Sequence, residues 1–280
     1  MISRLYKFLE DNKNDNIIPL NDVDSYIRYP DENIVYNKYY LSKIQNLTAA
    51  PIPIYPSRYP VIIKPIYNLY GMSKGFKIIK NEKEFKQNLD LLGYFWQKYL
   101  VGNQINVDMI IKNGEILDYF ALESKPSTNG SFEYHKYIKS YKLSNKVRNV
   151  IKKLLPNYKG VCNVEIINNK IIEMHLRLNG DYFIYNDDFE RELLNFLLTG
   201  YLKKNYTINN YTFFPIFSMN KLNNKKEIIK ILEKNKVIHY EFDDYDGNYQ
   251  RNDYKRVLFF VSQDFNYGEI IKKKILNSML

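Results

Sequence analysis

The spacing of apolar and polar residues changes along the chain, and each change marks an element. After Asn37, the residues Tyr40, Leu41, Ile44 and Leu47 recur at helical spacing, which predicts a helix over 37–47. Pro51, Pro53 and Pro56 then force extended backbone. Residues 59–65 read as a strand ending near Lys64, 71–75 as a turn, and 76–79 as the returning strand. Asn81 and Glu84 offer a capping box for a helix with Phe85, Leu89 and Leu92 on one face. Strands follow at 94–100, 105–111 and 115–122, the last two joined by the hairpin signal Asn113-Gly114. The polar run 123–142, with Pro126, Gly130 and several lysines, reads as a long loop. An amphipathic helix at 143–155 stops at Pro156, and a further helix is predicted from about 187 to 202. From Tyr211 the pattern runs strand, helix (225–234), strand (237–242), strand (256–262) and final helix, a small α+β unit. Before Asn37 the periodicity is weak and predicts only a short helix near 2–10.

The stretch 161–180 carries most of the candidate chemistry. Two β-branched runs flank Asn168-Asn169, the signature of a β-hairpin. With a three-residue loop at Asn168, Asn169 and Lys170, Glu165 and Glu173 face each other across the ladder. Side chains alternate along a strand, so His175 and Arg177 then share that face and Asn163 lies opposite His175. Like charges placed directly opposite destabilise a hairpin. The layout therefore points to a cation between the carboxylates, a divalent metal that could carry phosphate. A two-residue loop would send the two carboxylates to opposite faces, leaving an edge hairpin with a polar face in water.

Composition narrows the setting. The chain has 280 residues, enough for one large core or two domains. A single cysteine, Cys162, excludes a disulfide scaffold and fits a reducing compartment. No 18-residue apolar run or secretory leader is visible, so the expectation is a soluble, cytoplasmic protein with no membrane partner. The net charge of +10 raises the question of nucleic acid. The lysines, however, are scattered among Asn, Ile and Tyr instead of gathered in a block, which favours a small anionic ligand such as a nucleotide.

In order and spacing, the motifs from Asn37 to Gly180 resemble those of ATP-grasp enzymes of the carbamoyl-phosphate synthase and biotin carboxylase type. Asn37-Lys38 stands where that family has an Asp-Lys pair, ahead of the proline loop Ala50-Pro51-Ile52-Pro53. Lys64 ends a strand before a glycine-rich flap, Gly71-Met72-Ser73-Lys74-Gly75. Gln97-Lys98-Tyr99-Leu100 occupies the adenine hinge, and Gln104 stands where related ligases place a ribose-binding glutamate. Glu165 followed by Glu173-Met174-His175-Leu176-Arg177 matches the metal and phosphate motif, with His175 in place of asparagine.

The resemblance implies an α+β ATP-grasp fold, two α+β subdomains gripping ATP between antiparallel sheets, with a small C-terminal α+β extension. It implies a short N-terminal remnant at 1–36, an ATP-grasp domain at 37–205 with a lid at about 59–97, and the extension at 206–280. By the same resemblance Lys38, Lys64 and Lys74 neutralise phosphates, and residues 97–100 with Gln104 hold the nucleoside. Glu165 and Glu173 then bind Mg²⁺ or Mn²⁺ with His175 or Asn163, and Arg177 contacts the transferring phosphate. The implied activity is ATP-dependent ligation of a carboxylate to an amine or thiol through an acyl phosphate. Only some thirty residues precede Asn37, so by the resemblance the usual acceptor domain is either lost or supplied by a homodimer mate or a partner chain. His175 suits manganese or zinc better than magnesium and leaves open a non-catalytic nucleotide-binding protein. A basic nucleic-acid binder is the third reading.

Overall fold

The structure is a computed structural model. It describes residues 18–19, 21–69, 75–127, 132–179, 184–220, 222–243, 250–251 and 254–279. The helix expected near 2–10 and the flap residues 71–74, Lys74 among them, lie outside the described residues. The described residues divide into two compact units: 18–119 with 141–178, and 120–140 with 179–280. The segment 120–140 thus groups with the C-terminal residues and not with the sequence around it.

The first unit opens with helix α1 (Asp22–Arg28), a 3-10 turn (Asn33–Tyr36) and α2 (Lys38–Ile44). Strands β1 (Ala49–Pro51), β2 (Val61–Pro65) and β3 (Lys77–Ile79) precede α3 (Glu82–Lys86) and β4 (Tyr94–Lys98). These four strands form a sheet in the order β1-β4-β2-β3, antiparallel throughout. Phe85, Ile63, Val61 and Trp96 fill its core. The capping box expected for α3 forms in part: Asn81 Oδ1 accepts from the Glu84 N–H at 2.9 Å, while the Glu84 carboxylate accepts from Asn81 Nδ2 at 2.9 Å and from the Lys80 N–H at 2.8 Å instead of from the Asn81 N–H. That helix is shorter than expected, and Leu92 is 93% exposed instead of sharing a face with Phe85.

Next come β5 (Gln104–Lys112), β6 (Glu115–Pro126), which passes from the first unit into the second, β7 (Phe132–Tyr137) and α4 (Asn145–Leu154). Asn113 and Gly114 both adopt positive φ, as a type I′ hairpin turn requires. In the first unit β8 (Lys159–Ile167) pairs with β5 on one side and β9 (Lys170–His175) on the other. The expected loop at 123–142 is a correction: half of it, residues 123–126 and 132–137, is the paired ends of β6 and β7. Pro126 and Gly130 mask strand propensity, but Phe132, Tyr134 and His135 carry enough buried ring surface to hold β7.

The hairpin turn is a second correction. Asn168 and Asn169, both with positive φ, form a two-residue turn, since Ile167 pairs with Lys170. The expected consequence of a two-residue turn does not follow. A β-bulge at Ile172 adds one residue to β9, so Ile166 faces Ile171 while Glu165 faces Glu173. One extra residue in the strand does what an extra residue in the loop would have done.

In the second unit, β10 (Thr212–Ser218) lies between β7 and β13 (Tyr254–Ser262), with β11 (His239–Phe242) and β12 (Gln250–Arg251) also on β13. Helices α5 (Asp187–Thr199), α6 (Lys225–Lys234) and α7 (Phe265–Ser278) complete it. Its core is Phe214, Ile216, Ile228, Leu232, Leu258, Phe260, Ile271 and Ile275. A Cβ at Gly268 would stand 2.2 Å from Cε2 of Phe214, so only glycine lets α7 seat there. Among the described residues, no helix is long and apolar enough to cross a membrane.

Candidate functional site

The site is built on β5, β8 and β9, whose register sets two rungs of polar residues on one face. Asn106, Glu165 and Glu173 form one rung; Asp108, Asn163 and His175 form the next. Asn106, Asp108, Asn163 and His175 are buried. Glu165 Oε2 accepts from Gln104 Nε2 at 2.9 Å, and Asp108 Oδ1 accepts from Asn163 Nδ2 at 2.7 Å.

Helix α2 supplies the opposing side of the cluster. Asn37 caps it, its Oδ1 accepting from the Tyr40 N–H at 2.8 Å. Of the apolar face expected from Tyr40, Leu41, Ile44 and Leu47, Leu41 and Leu47 are buried and Ile44 is half-buried, but Tyr40 is 41% exposed. The inward positions are Lys38, Leu41, Ser42 and Gln45, at helical spacing. Each polar member has a partner. Lys38 Nζ lies 2.7 Å from Glu173 Oε1, and Ser42 Oγ donates to Gln97 Oε1 at 2.8 Å. The Gln45 amide pairs with Ile171 like an added strand residue, Nε2 donating to its carbonyl and Oε1 accepting its N–H, both at 2.8 Å. That contact holds β9 next to its bulge. Lys64 Nζ donates to the carbonyl of the bulged Ile172 at 3.1 Å and stands 5.6 Å from the Phe95 ring centroid.

Charges in this crowded space shift one another. Burial, with Glu173 opposite, pushes the Glu165 carboxyl up to about 7. Burial also opposes charge on Glu173, yet Lys38, His175 and Lys64 outweigh it and hold that carboxyl below its ordinary value. Burial, with Lys38 nearby, brings the Lys64 ammonium down to about 7.

Asp22, the first residue of α1, ties the last pair together. It is 3% exposed and receives Arg177 through two bonds of 2.8 Å, from Nε and Nη2. Its Oδ1 also lies 2.9 Å from His175 Nδ1. Burial works against the Asp22 anion, but His175 and Arg177 prevail and keep the carboxyl well below its usual range. Burial likewise disfavours the His175 cation, and Asp22 more than offsets this, raising the imidazole above its ordinary value. Tyr36 closes the group, its hydroxyl accepting from the Leu176 N–H at 3.0 Å.

The structure therefore brings together Lys38, Lys64, Asn163, Glu165, Glu173, His175 and Arg177, with Gln104 on Glu165. Gln97 is buried against Ser42, so any purine contact at the hinge falls to backbone. There the Lys98 and Tyr99 N–H groups already bond to the carbonyls of Thr48 and Pro60. Leu100 is half-buried at the end of the segment. Sequence reasoning missed Asp22, Gln45, Asn106 and Asp108. The alternation Gln104-x-Asn106-x-Asp108 within an otherwise apolar strand was a visible signal for two of them.

The donor set is chemically suited to a divalent cation. One ligand atom each from Glu165, Glu173 and His175 can be chosen so that all lie within 4.8 Å of one another.

This geometry, two polar rungs on antiparallel strands facing a lysine-bearing helix, belongs to an α+β fold of antiparallel sheets, and the chain has the ATP-grasp fold. No family model and no curated protein matches the sequence. Among solved structures, it is similar to carboxyaminoimidazole ribonucleotide synthase of Aspergillus clavatus complexed with ATP, at 12% identity and TM-score 0.64, covering 99% of this chain and 79% of that one. It is also similar to N5-carboxyaminoimidazole synthetase of Staphylococcus aureus complexed with ADP, at 13% identity and TM-score 0.63, covering 89% and 72%. The L-amino acid ligase of Bacillus licheniformis aligns at 12% identity and TM-score 0.59, covering 87% and 71%.

Proposed function

We propose that the protein is an ATP-dependent ligase that joins a carboxylate to an amine or thiol through an acyl phosphate. The observation that carries this reading is the pair Glu165 and Glu173, held face to face by the bulge with Lys38, Lys64 and His175 around them. Two opposed, half-buried carboxylates cost stability, and a phosphate-bound cation between them would offset that cost. The solved relatives complexed with ATP and ADP support the nucleotide.

In this reading Lys38, Lys64 and Lys74 bind phosphate oxygens, and the backbone of Gln97, Lys98, Tyr99 and Leu100 takes the adenine edge, with Gln104 nearby. Glu165, Glu173 and His175 hold a divalent cation, with Asn163 on the adjoining rung. When bound, that cation supplies charge neutralisation at the phosphates. A substrate carboxylate oxygen attacks the γ-phosphorus and ADP leaves; the amine or thiol then attacks the acyl carbon and phosphate leaves. The protein's part is to align these groups and to face developing negative charge with Lys38, Lys64 and Arg177.

The test is ADP release in the presence of ATP, Mg²⁺ or Mn²⁺ and a panel of small carboxylates and amines. We expect release that depends on the carboxylate and falls at least about 100-fold in Glu173→Ala. No ATP binding at millimolar nucleotide with either ion ends the proposal. One observation favours a second reading, a nucleotide-binding protein without turnover: Arg177 is committed to Asp22 through both Nε and Nη2. Tight ATP binding with no ADP release under any carboxylate would select it.

A further inference from the structure

We propose that Asp22 is a positioning residue that makes His175 a nitrogen ligand, so that the site takes a divalent transition ion of the manganese, cobalt and zinc class in preference to magnesium. This rests on the reading of Glu165 and Glu173 as a cation site.

The His175 side chain is only 7% exposed, and its Nδ1 is fixed on Asp22 at 2.9 Å. Asp22 cannot swing away, because Arg177 grips both of its oxygens. The ring is thereby left with Nε2 facing the glutamates, 3.8 Å from Glu173 Oε1. That separation is too long for a hydrogen bond and suits two atoms that share a third partner. Donors at about 2.0–2.2 Å from one ion stand up to about 4.4 Å apart. Tetrahedral donors at that range stand about 3.3–3.6 Å apart, so three ligand atoms now within 4.8 Å of one another draw in by up to about 1.5 Å when an ion binds.

Lys38 takes one Glu173 oxygen, but a carboxylate has lone pairs enough to serve both an ammonium and an ion. An independent sign lies on the same rung. Asn106 is fully buried, and its Nδ2 has no hydrogen-bond partner among the described residues. An orphan donor there fits an oxygen acceptor such as a water carried on the ion.

The choice of metal follows from ligand chemistry. Magnesium is hard and keeps to oxygen, whereas imidazole suits the later divalent ions. A carboxylate behind a ligating histidine fixes its tautomer and raises its donor strength, and losing it costs about 10–100-fold in affinity. Asp22 stands in that place.

The experiment uses the full chain with Mn²⁺ and a non-hydrolysable ATP analogue, read by pulsed electron paramagnetic resonance and by calorimetry. We expect ¹⁴N coupling to the manganese that changes to ¹⁵N coupling when the histidines alone are labelled, which separates imidazole from adenine nitrogen. Mn²⁺ should bind at least about ten-fold more tightly than Mg²⁺, and Asp22→Asn should weaken Mn²⁺ by about 10–100-fold. His175→Asn should lose the coupling and narrow the gap between the two ions, a check that stands even if Asp22→Asn does not fold. Manganese that binds with no histidine coupling, or with equal strength in Asp22→Asn, overturns the inference and leaves the cation site intact. Failure of both ions to bind overturns the cation site and the inference with it.

Discussion

The two faces of the β5-β8-β9 ladder make the most instructive comparison in the molecule. One face carries Val107, Met109, Cys162, Val164 and Met174, all buried and all apolar. The other carries Asn106, Asp108, Asn163, Glu165, Glu173 and His175, and four of these are as deeply buried as the first set. The backbone is common to both, so the contrast isolates what the side chains do. The apolar face contributes stability in proportion to the area it hides. The polar face loses hydration and recovers it through specific partners, and it leaves an orphan amide and a raised carboxyl behind. That cost is what the cation proposed for this face would offset.

Substitutions on the two faces should therefore move stability in opposite directions. Met109→Ala, fully buried on the apolar face, should lower unfolding free energy by about 2–5 kcal/mol through lost burial and the cavity left behind. Chemical denaturation monitored at neutral pH measures it, and a loss below about 1 kcal/mol would mean that this face is not the core it resembles.

Glu165→Gln should act the other way. The folded carboxyl titrates at about 7, above the ordinary 4.5, so between these pH values the native state holds a proton that the unfolded chain has released. The wild-type carboxyl thus subtracts stability as pH rises from about 4.5 to 7, and the full loss persists above that range. The neutral variant should be more stable by about 1–3 kcal/mol at pH 8.5 and indistinguishable at pH 4. An equal effect at both values would contradict the assigned titration. The smallest effect is expected from Asn106→Leu, which removes the orphan donor and should raise stability by about 1 kcal/mol. If it destabilises instead, Asn106 serves the fold and not a ligand.

Sequence reading went furthest where local chemistry decides the structure. Asn113-Gly114 and Asn168-Asn169 both form turns with positive φ, and Asn81 caps its helix as expected. Helix α6 begins and ends at the expected residues. The facing of Glu165 and Glu173 was legible, but for an incomplete reason. The bulge at Ile172 is secured by Gln45, 126 residues away from Ile171, and no local pattern reports so distant a contact. Asp22 was illegible for the same cause, since its partners His175 and Arg177 lie 153 and 155 positions further on. The inward face of α2 was read only at its apolar members, Leu41 and Leu47, because Lys38, Ser42 and Gln45 are polar. A search for apolar periodicity discards such residues, although together they trace the helical repeat.

The Gln45 amide gives α2 and β9 a mechanical relationship. By standing in for a strand residue it rivets the end of one to the edge of the other, and the Lys38–Glu173 contact adds a second fastening about two turns away. With both ends of the helix fastened to the same strand, α2 and β9 are braced against separation at two points.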